Sequence, residues 1–263
     1  MLLGALAELV KRNLYSVNIE PYNAGMKTTT KSSRKGVQRV KTGGPARAKR
    51  AGRAQAGSEN TSYHHGALHA GLLEAAERVL ERDGLAGLTL RAVVREAGVS
   101  HAAPTHHFGD LTGLVSELAA IGFRQFNDAA AAADSAVSTA TEKAMARARA
   151  YVAFAQAHPG MYGLMFRTER LDMKRPALHE AADAAFAGLA GSIAAQRHEE
   201  IATEALSLDQ AAAIVRAWSL VHGFTMLLLD GRLADILRRL PDGADEATLL
   251  DAMLRTSVVR PSS

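Results

Sequence analysis

The sequence predicts an all-α protein, and three features point there. Alanine is abundant and aromatic residues make up only 5% of the chain. Large apolar residues after position 62 recur at three- and four-residue intervals instead of alternating. Runs of β-branched residues are few, so good helix formers fill each long apolar segment. At 263 residues the chain has room for two unequal domains: a small N-terminal three-helix unit and a larger helical one.

The leader comes first. Residues 1–60 carry 12 Lys/Arg against 3 Asp/Glu, whereas residues 61–263 carry 19 against 24. From Lys27 to Arg53 there are ten basic residues, no acidic one and few large apolar side chains, a composition that cannot bury enough surface to fold. It reads as a solvated tail, with Met26 a candidate alternative start, or as a basic arm reaching phosphates or a minor groove. Met1–Val10 is apolar but has no basic stretch before it and contains Glu8, which argues against a signal peptide.

Order is expected from about Tyr63. Leu68, Leu72, Leu73, Ala76, Val79 and Leu80 share a helical face that Gly84 should end. Thr89 is the N-cap of a short second helix, with Leu90, Val93, Val94 and Ala97 inward and Gly98 the left-handed corner that leaves it. Ser100 is expected to cap a third short helix ending near Phe108, with Pro104 tolerated in its first turn. Gly109 and Asp110 then turn and cap a fourth helix of about seven turns, carrying Leu114, Leu118, Ile121, Phe123 and Phe126 into an alanine tract. Further helices are predicted at 139–157, 159–168, 177–203, 208–230 and 245–258. Breakers separate them at His158–Pro159–Gly160, Lys174–Arg175–Pro176, Ser207 and Pro241–Asp242–Gly243. The expected organisation is a leader over 1–60, a helix-turn-helix domain over 61–109, a larger helical domain over 110–258 and a tail over 259–263.

Two short helices joined by a glycine corner can cross steeply enough to lay the second in a major groove. The hydroxyls of Thr89 and Ser100 are placed to meet phosphates, which fix register without reading sequence. Base edges fall to His101, Ala102, Thr105 and His106, Ala102 offering apolar contact to a thymine methyl. Gly98 is the turn residue, and substituting it should distort the crossing.

The stretch Leu88–Asp110, with its Gly98–Val99–Ser100 turn and its ending Pro104–Thr105–His106–His107–Phe108, resembles the TetR/AcrR family of bacterial regulators. The likeness covers residues 62–126. It has departures: Thr105 stands where a phosphate-contacting tyrosine is common, Leu111 where a lysine often begins the fourth helix, and Val94 where alanine is usual. A missing lysine implies a slightly smaller salt slope of DNA binding, which the basic leader could restore.

A second stretch, His158 to Arg167, together with Ala217 to Phe224 carrying Trp218, His222 and Gly223, resembles the WHG-type C-terminal domain of that family. The likeness implies a homodimer and an unknown small-molecule effector. It further implies a double-stranded DNA operator as partner, and a cytoplasmic, nucleoid-associated repressor with no cofactor. Tyr151, Phe154, Met161, Tyr162, Met165, Trp218, His222 and Met226 are the candidate effector-pocket residues, apolar with a few polar tips. Apolar faces at Ile214, Val215, Trp218, Val221 and Leu228, and at Leu249, Leu250, Met253 and Leu254, suit a dimer through helices in 208–258.

Other function classes fare worse. The chain has no cysteine, so disulfides, thiolate zinc sites and thiol nucleophiles are excluded. His65 and His69 have the i, i+4 spacing of a metal pair, but no glutamate completes a His–Glu–x–x–His motif, so no metal and no enzyme are expected. A nonspecific basic nucleic-acid-binding protein would leave the helix-turn-helix unexplained. No uninterrupted apolar run of about 18 residues is apparent, so no membrane association is expected.

Overall fold

The computed structural model describes the backbone of residues 58–257 and the side chains of residues 66–256; the expectations for the basic leader up to residue 57, for the His65 side chain, and for the tail lie outside these. All described regular structure is helical: α1 (Ser58–Gly87), α2 (Leu90–Ala97), α3 (Ala103–Phe108), α4 (Leu111–Ser135), α5 (Ala140–Ala157), α6 (Pro159–Met165), a 3₁₀ turn (Thr168–Arg170), α7 (Pro176–Arg197), α8 (Leu208–Leu229), α9 (Ala234–Leu237) and α10 (Glu246–Ser257).

Caps set most boundaries. The Thr89 side chain accepts from the Ala92 N–H at 3.2 Å. Gly98 leaves α2 at φ 67°, ψ 31°, and Val99 N–H reaches back to the Val94 carbonyl at 3.3 Å, as in a Schellman turn. Asp110 caps α4 through Gly113 N–H at 2.8 Å. Reciprocal capping boxes start α5 (Thr139 with Glu142) and α8 (Ser207 with Gln210). Gly84 breaks the helical run of α1 as expected, its torsions of φ 66° and ψ −174° lying outside the helical region, and a short turn to Gly87 follows.

Several boundaries differ from expectation. Ser100 does not cap the third helix; the N-cap is Ala102, which makes no side-chain cap bond. The cause is Pro104. An α-helix capped at Ser100 needs residue 104 to donate to the Ser100 carbonyl, and proline has no N–H. Ala103 N–H takes that carbonyl instead, at 3.1 Å, and the first α-type bond runs from His106 to Ala102. The helix after Pro159 gives way to the 3₁₀ turn after Met165. α7 ends six residues before position 203 because His198 adopts φ 53°, a left-handed stop without the glycine that would have announced it.

α4 is the hub. Its buried residues include Leu114, Val115, Leu118, Ala119, Phe123 and Phe126, more than one stripe, as befits a helix packed on several sides. One continuous core joins Leu72, Val79, Leu80, Val93 and Phe108 of the first three helices to Leu114 and Leu118 of α4, Phe154 of α5, Met161 of α6 and Leu178 of α7. Ser116, fully buried on α4, donates to the Thr112 carbonyl at 2.6 Å and accepts from Asp172 N–H at 2.8 Å, so its hydroxyl is satisfied. Two smaller clusters lie beyond: Val152, Phe224, Leu233 and Leu250, and Ala190, Ile193, Ala213 and Ile214.

These clusters revise the predicted dimer face, since Ile214 and Leu250, each 2% exposed, are core residues of their own chain. α8 revises another expectation. Among the described residues it alone is long and apolar enough to cross a membrane by length and composition, although much of it is left unburied by its own chain. Asp209 and Arg216 interrupt the apolar run without lowering its mean hydropathy far, which is why no unbroken stretch stands out in the sequence.

Candidate nucleic-acid interface and aromatic site

α3 is amphipathic within six residues. Ala103, Pro104 and Phe108 are buried, whereas Thr105 and His106, and His101 and Ala102 just before the helix, are exposed, so the residues predicted to read bases are all open to solvent. Thr89 and Ser100 are also exposed. Thr89 combines exposure with its cap bond to Ala92. Ser100 keeps its place beside the turn without the capping role. His106 and His107 lie edge to face with ring centroids 5.4 Å apart.

α1 and α2 are fastened by charge as well as by core. Glu96 of α2 accepts from Arg78 Nε at 3.0 Å and from Arg82 Nη1 at 2.8 Å, and these hydrogen bonds hold its carboxyl below the usual glutamate range. His69 bonds through Nε2 to Glu117 Oε2 of α4 at 2.8 Å. Its ring packs on Phe108 at 4.7 Å between centroids. Among the described residues no group of three His, Cys, Asp or Glu side chains could hold a metal ion.

In the larger helical part, Tyr151 of α5, Tyr162 of α6 and His222 of α8 converge. Both hydroxyls lie 2.8 Å from His222 Nδ1 and 3.2 Å from each other. A neutral imidazole protonated on Nε2 would accept at Nδ1 from one hydroxyl while the other turns to its neighbour. Burial pushes the His222 pKa below its ordinary value, favouring that neutral ring. Trp218 and Phe166 complete the wall, with Phe166 4.8 Å from the His222 ring and 5.0 Å from Tyr162.

The eight predicted pocket residues therefore divide. Tyr151, Tyr162, Trp218 and His222 come together, and Phe154 joins through Phe126, whose ring meets both Tyr151 and Phe154. Met161 and Met165 are core residues pressed against Gly122, where a Cβ would lie 2.6 Å from Met161 Cγ and 2.9 Å from Met165 Sδ. Met226 is 40% exposed, away from the core. Phe166 is absent from the predicted set, although its i+4 spacing from Tyr162 is a usable signal. A cavity of about 270 Å³ lies elsewhere, lined by Asp134 of α4, Ala140, Lys143 and Arg147, and Gly188, Gly191, Ser192 and Ala195 of α7; none of these residues belongs to the predicted sites.

Comparison with known proteins agrees with this geometry. Residues 72–118 match the model of bacterial regulatory proteins of the tetR family, and residues 144–256 match a tetracyclin repressor-like C-terminal domain. A Rhodococcus sp. RHA1 protein of unknown function is 35% identical, with 74% of this chain and 95% of that one covered and a TM-score of 0.59. The transcriptional regulator FadR from Bacillus subtilis, solved with stearoyl-CoA, shares the fold at 16% identity, with 73% and 100% covered and a TM-score of 0.54. No protein with a curated description matches. With a glycine-cornered helix pair exposing one face of α3 and both parts of the chain matched by their own models, the chain belongs to the TetR family of bacterial regulators and is a DNA-binding transcriptional regulator.

Proposed function

We propose that the protein is a homodimeric repressor whose two α3 helices enter successive major grooves of a palindromic operator, and that a small apolar effector with a polar tip releases it. The observation that carries the DNA half is the division of α3 and the two residues before it, with Ala103, Pro104 and Phe108 buried and His101, Ala102, Thr105 and His106 open. Thr89 and Ser100 supply phosphate contacts in this reading. Gly98 sets the crossing.

Dimerisation is supported by the outer face of α8, where Leu208, Ala212, Val215, Ser219 and Met226 are exposed at intervals of three, four or seven residues and Leu227 adjoins them. A second α8 would cover this stripe, with Ala212 and Ser219 allowing close approach. The same apolar character accounts for the helix's membrane-like composition without a membrane. The effector is assigned to the aromatic wall of Tyr151, Tyr162, Phe166, Trp218 and His222. It acts by preferring the conformation whose half-site spacing no longer fits the operator. The protein works in the cytoplasm on this reading and catalyses no reaction.

Selection of duplexes from a random-sequence pool, followed by footprinting, tests it. The expected product is a protected palindrome with half-sites about 10 base pairs apart, centre to centre, or a multiple of that. Binding that is salt-sensitive but indifferent to sequence would overturn it in favour of a nonspecific nucleic-acid-binding protein.

A further inference from the structure

α3 has little internal means of holding its angle. Its six residues close few α-type bonds, the first from His106 N–H to the Ala102 carbonyl and the last from Gly109 N–H to that of Thr105, and so short a helix is marginal alone. Its direction is set by what touches it from behind. The Phe108 side chain is 2% exposed, and the Phe108 carbonyl, at the end of the helix where intrahelical partners run out, accepts from Arg175 Nη2 at 2.8 Å. The same guanidinium donates from Nη1 to Glu117 Oε1 of α4 at 2.9 Å. The other oxygen of that carboxylate takes His69 of α1. One guanidinium and one carboxylate thus join α1, the end of α3, α4 and the residue that precedes α7.

The neighbouring residues make room for this contact and brace it. Gly113, in the first turn of α4, has no left-handed torsion to justify it. Its reason is space, since a Cβ there would collide with both the Phe108 carbonyl oxygen and the Arg175 guanidinium. Arg175 itself ends a segment tied to α4: Leu171 is buried, Asp172 N–H donates to Ser116 Oγ, and Arg175 N–H donates to the Asp172 carbonyl at 3.1 Å. Pro176 then starts α7. The guanidinium is therefore delivered from a fixed base, and its planar fork suits two acceptors held at once.

We propose that Arg175 is a positioning residue for DNA reading: it holds the C-terminal end of α3 so that the helix meets base edges at the right angle, without itself touching DNA. This rests on the assignment of α3 to the operator. A residue in that role changes discrimination between sequences, while one that met phosphates would change the salt slope.

The test uses the full chain with Arg175→Met and Arg175→Lys, probed with the duplex that the wild-type protein selects from a random pool and with a scrambled duplex of the same composition. Arg175→Met removes both bonds, and freeing the Phe108 carbonyl from its charge-assisted hydrogen bond is expected to weaken the selected duplex about tenfold and to leave the scrambled duplex and both salt slopes unchanged. It should also speed amide hydrogen exchange over residues 100–110 and leave 208–229 as in the wild type. Arg175→Lys, which keeps the charge but not the fork, should fall between. Unchanged discrimination, a shallower salt slope, or equal losses on both duplexes with faster exchange throughout would each overturn the proposal. A wild-type protein that selects no sequence would sink the operator assignment instead, and exchange over 100–110 would still decide whether Arg175 holds α3.

Discussion

At the scale of single residues, the two histidine environments show how context decides a side chain's task. His69 sits in an i, i+4 pair with His65, a spacing that suggests metal, yet it is bonded to Glu117 and stacked on Phe108. His222 by sequence suits either a satisfied core histidine or a ligand contact, and its two tyrosine bonds meet the first description without excluding the second. Its lowered pKa has a consequence with a definite sign. Below the ordinary histidine value of about 6.5 the unfolded chain takes up a proton that folded His222 resists, so stability falls as the medium is acidified through that range. Thermal melting between pH 7.5 and 5.5 should show a shallower decline for His222→Gln than for the wild type. Parallel declines would mean that other groups carry the acid sensitivity. Pro104 shows the reverse: its missing N–H is plain in the sequence, and without it to serve the Ser100 carbonyl the N-cap of α3 moves from Ser100 to Ala102.

At the scale of elements, periodicity located every long helix, because caps and breakers are local chemistry. Periodicity could not tell which apolar face meets the chain's own core and which meets a partner, since both are apolar for the same reason. Ile214 and Leu250 went inward, and Val215 and Leu227, at 55% and 43% exposure, stayed out. Val215→Glu combined with Leu227→Glu is expected to weaken the proposed α8 dimer by about 30-fold or more. Sedimentation would show monomers, and far-UV circular dichroism would show unchanged helix. A variant that sediments as a dimer at wild-type concentrations would remove this face from the interface.

At the scale of the whole molecule, charge is divided. The formal +4 of the chain combines a leader at +9 with residues 61–263 at −5, so residues 61–263 cannot rely on a broadly basic surface to find DNA. If the leader neutralises phosphates, deleting residues 1–55 should weaken operator binding and flatten its salt dependence by about 0.9 in log–log slope for each phosphate left unneutralised. Equal affinity and equal slope in a salt titration would leave the leader without a part in binding.

The sequence alone determined what depends on neighbours along the chain: helical class, the Thr89 and Asp110 caps, the Gly98 corner and the residues left exposed on and just before α3. These follow from backbone donors, torsional freedom and a 3.6-residue period, all local. Tertiary structure alone decided that Arg175 and Glu117, 58 residues apart, meet beside the end of α3, that Tyr151 and Tyr162 meet on one nitrogen of His222, and that two methionines fill the core beside Gly122. Each of those depends on how helices distant in sequence lie against one another, and no spacing between residues encodes that distance.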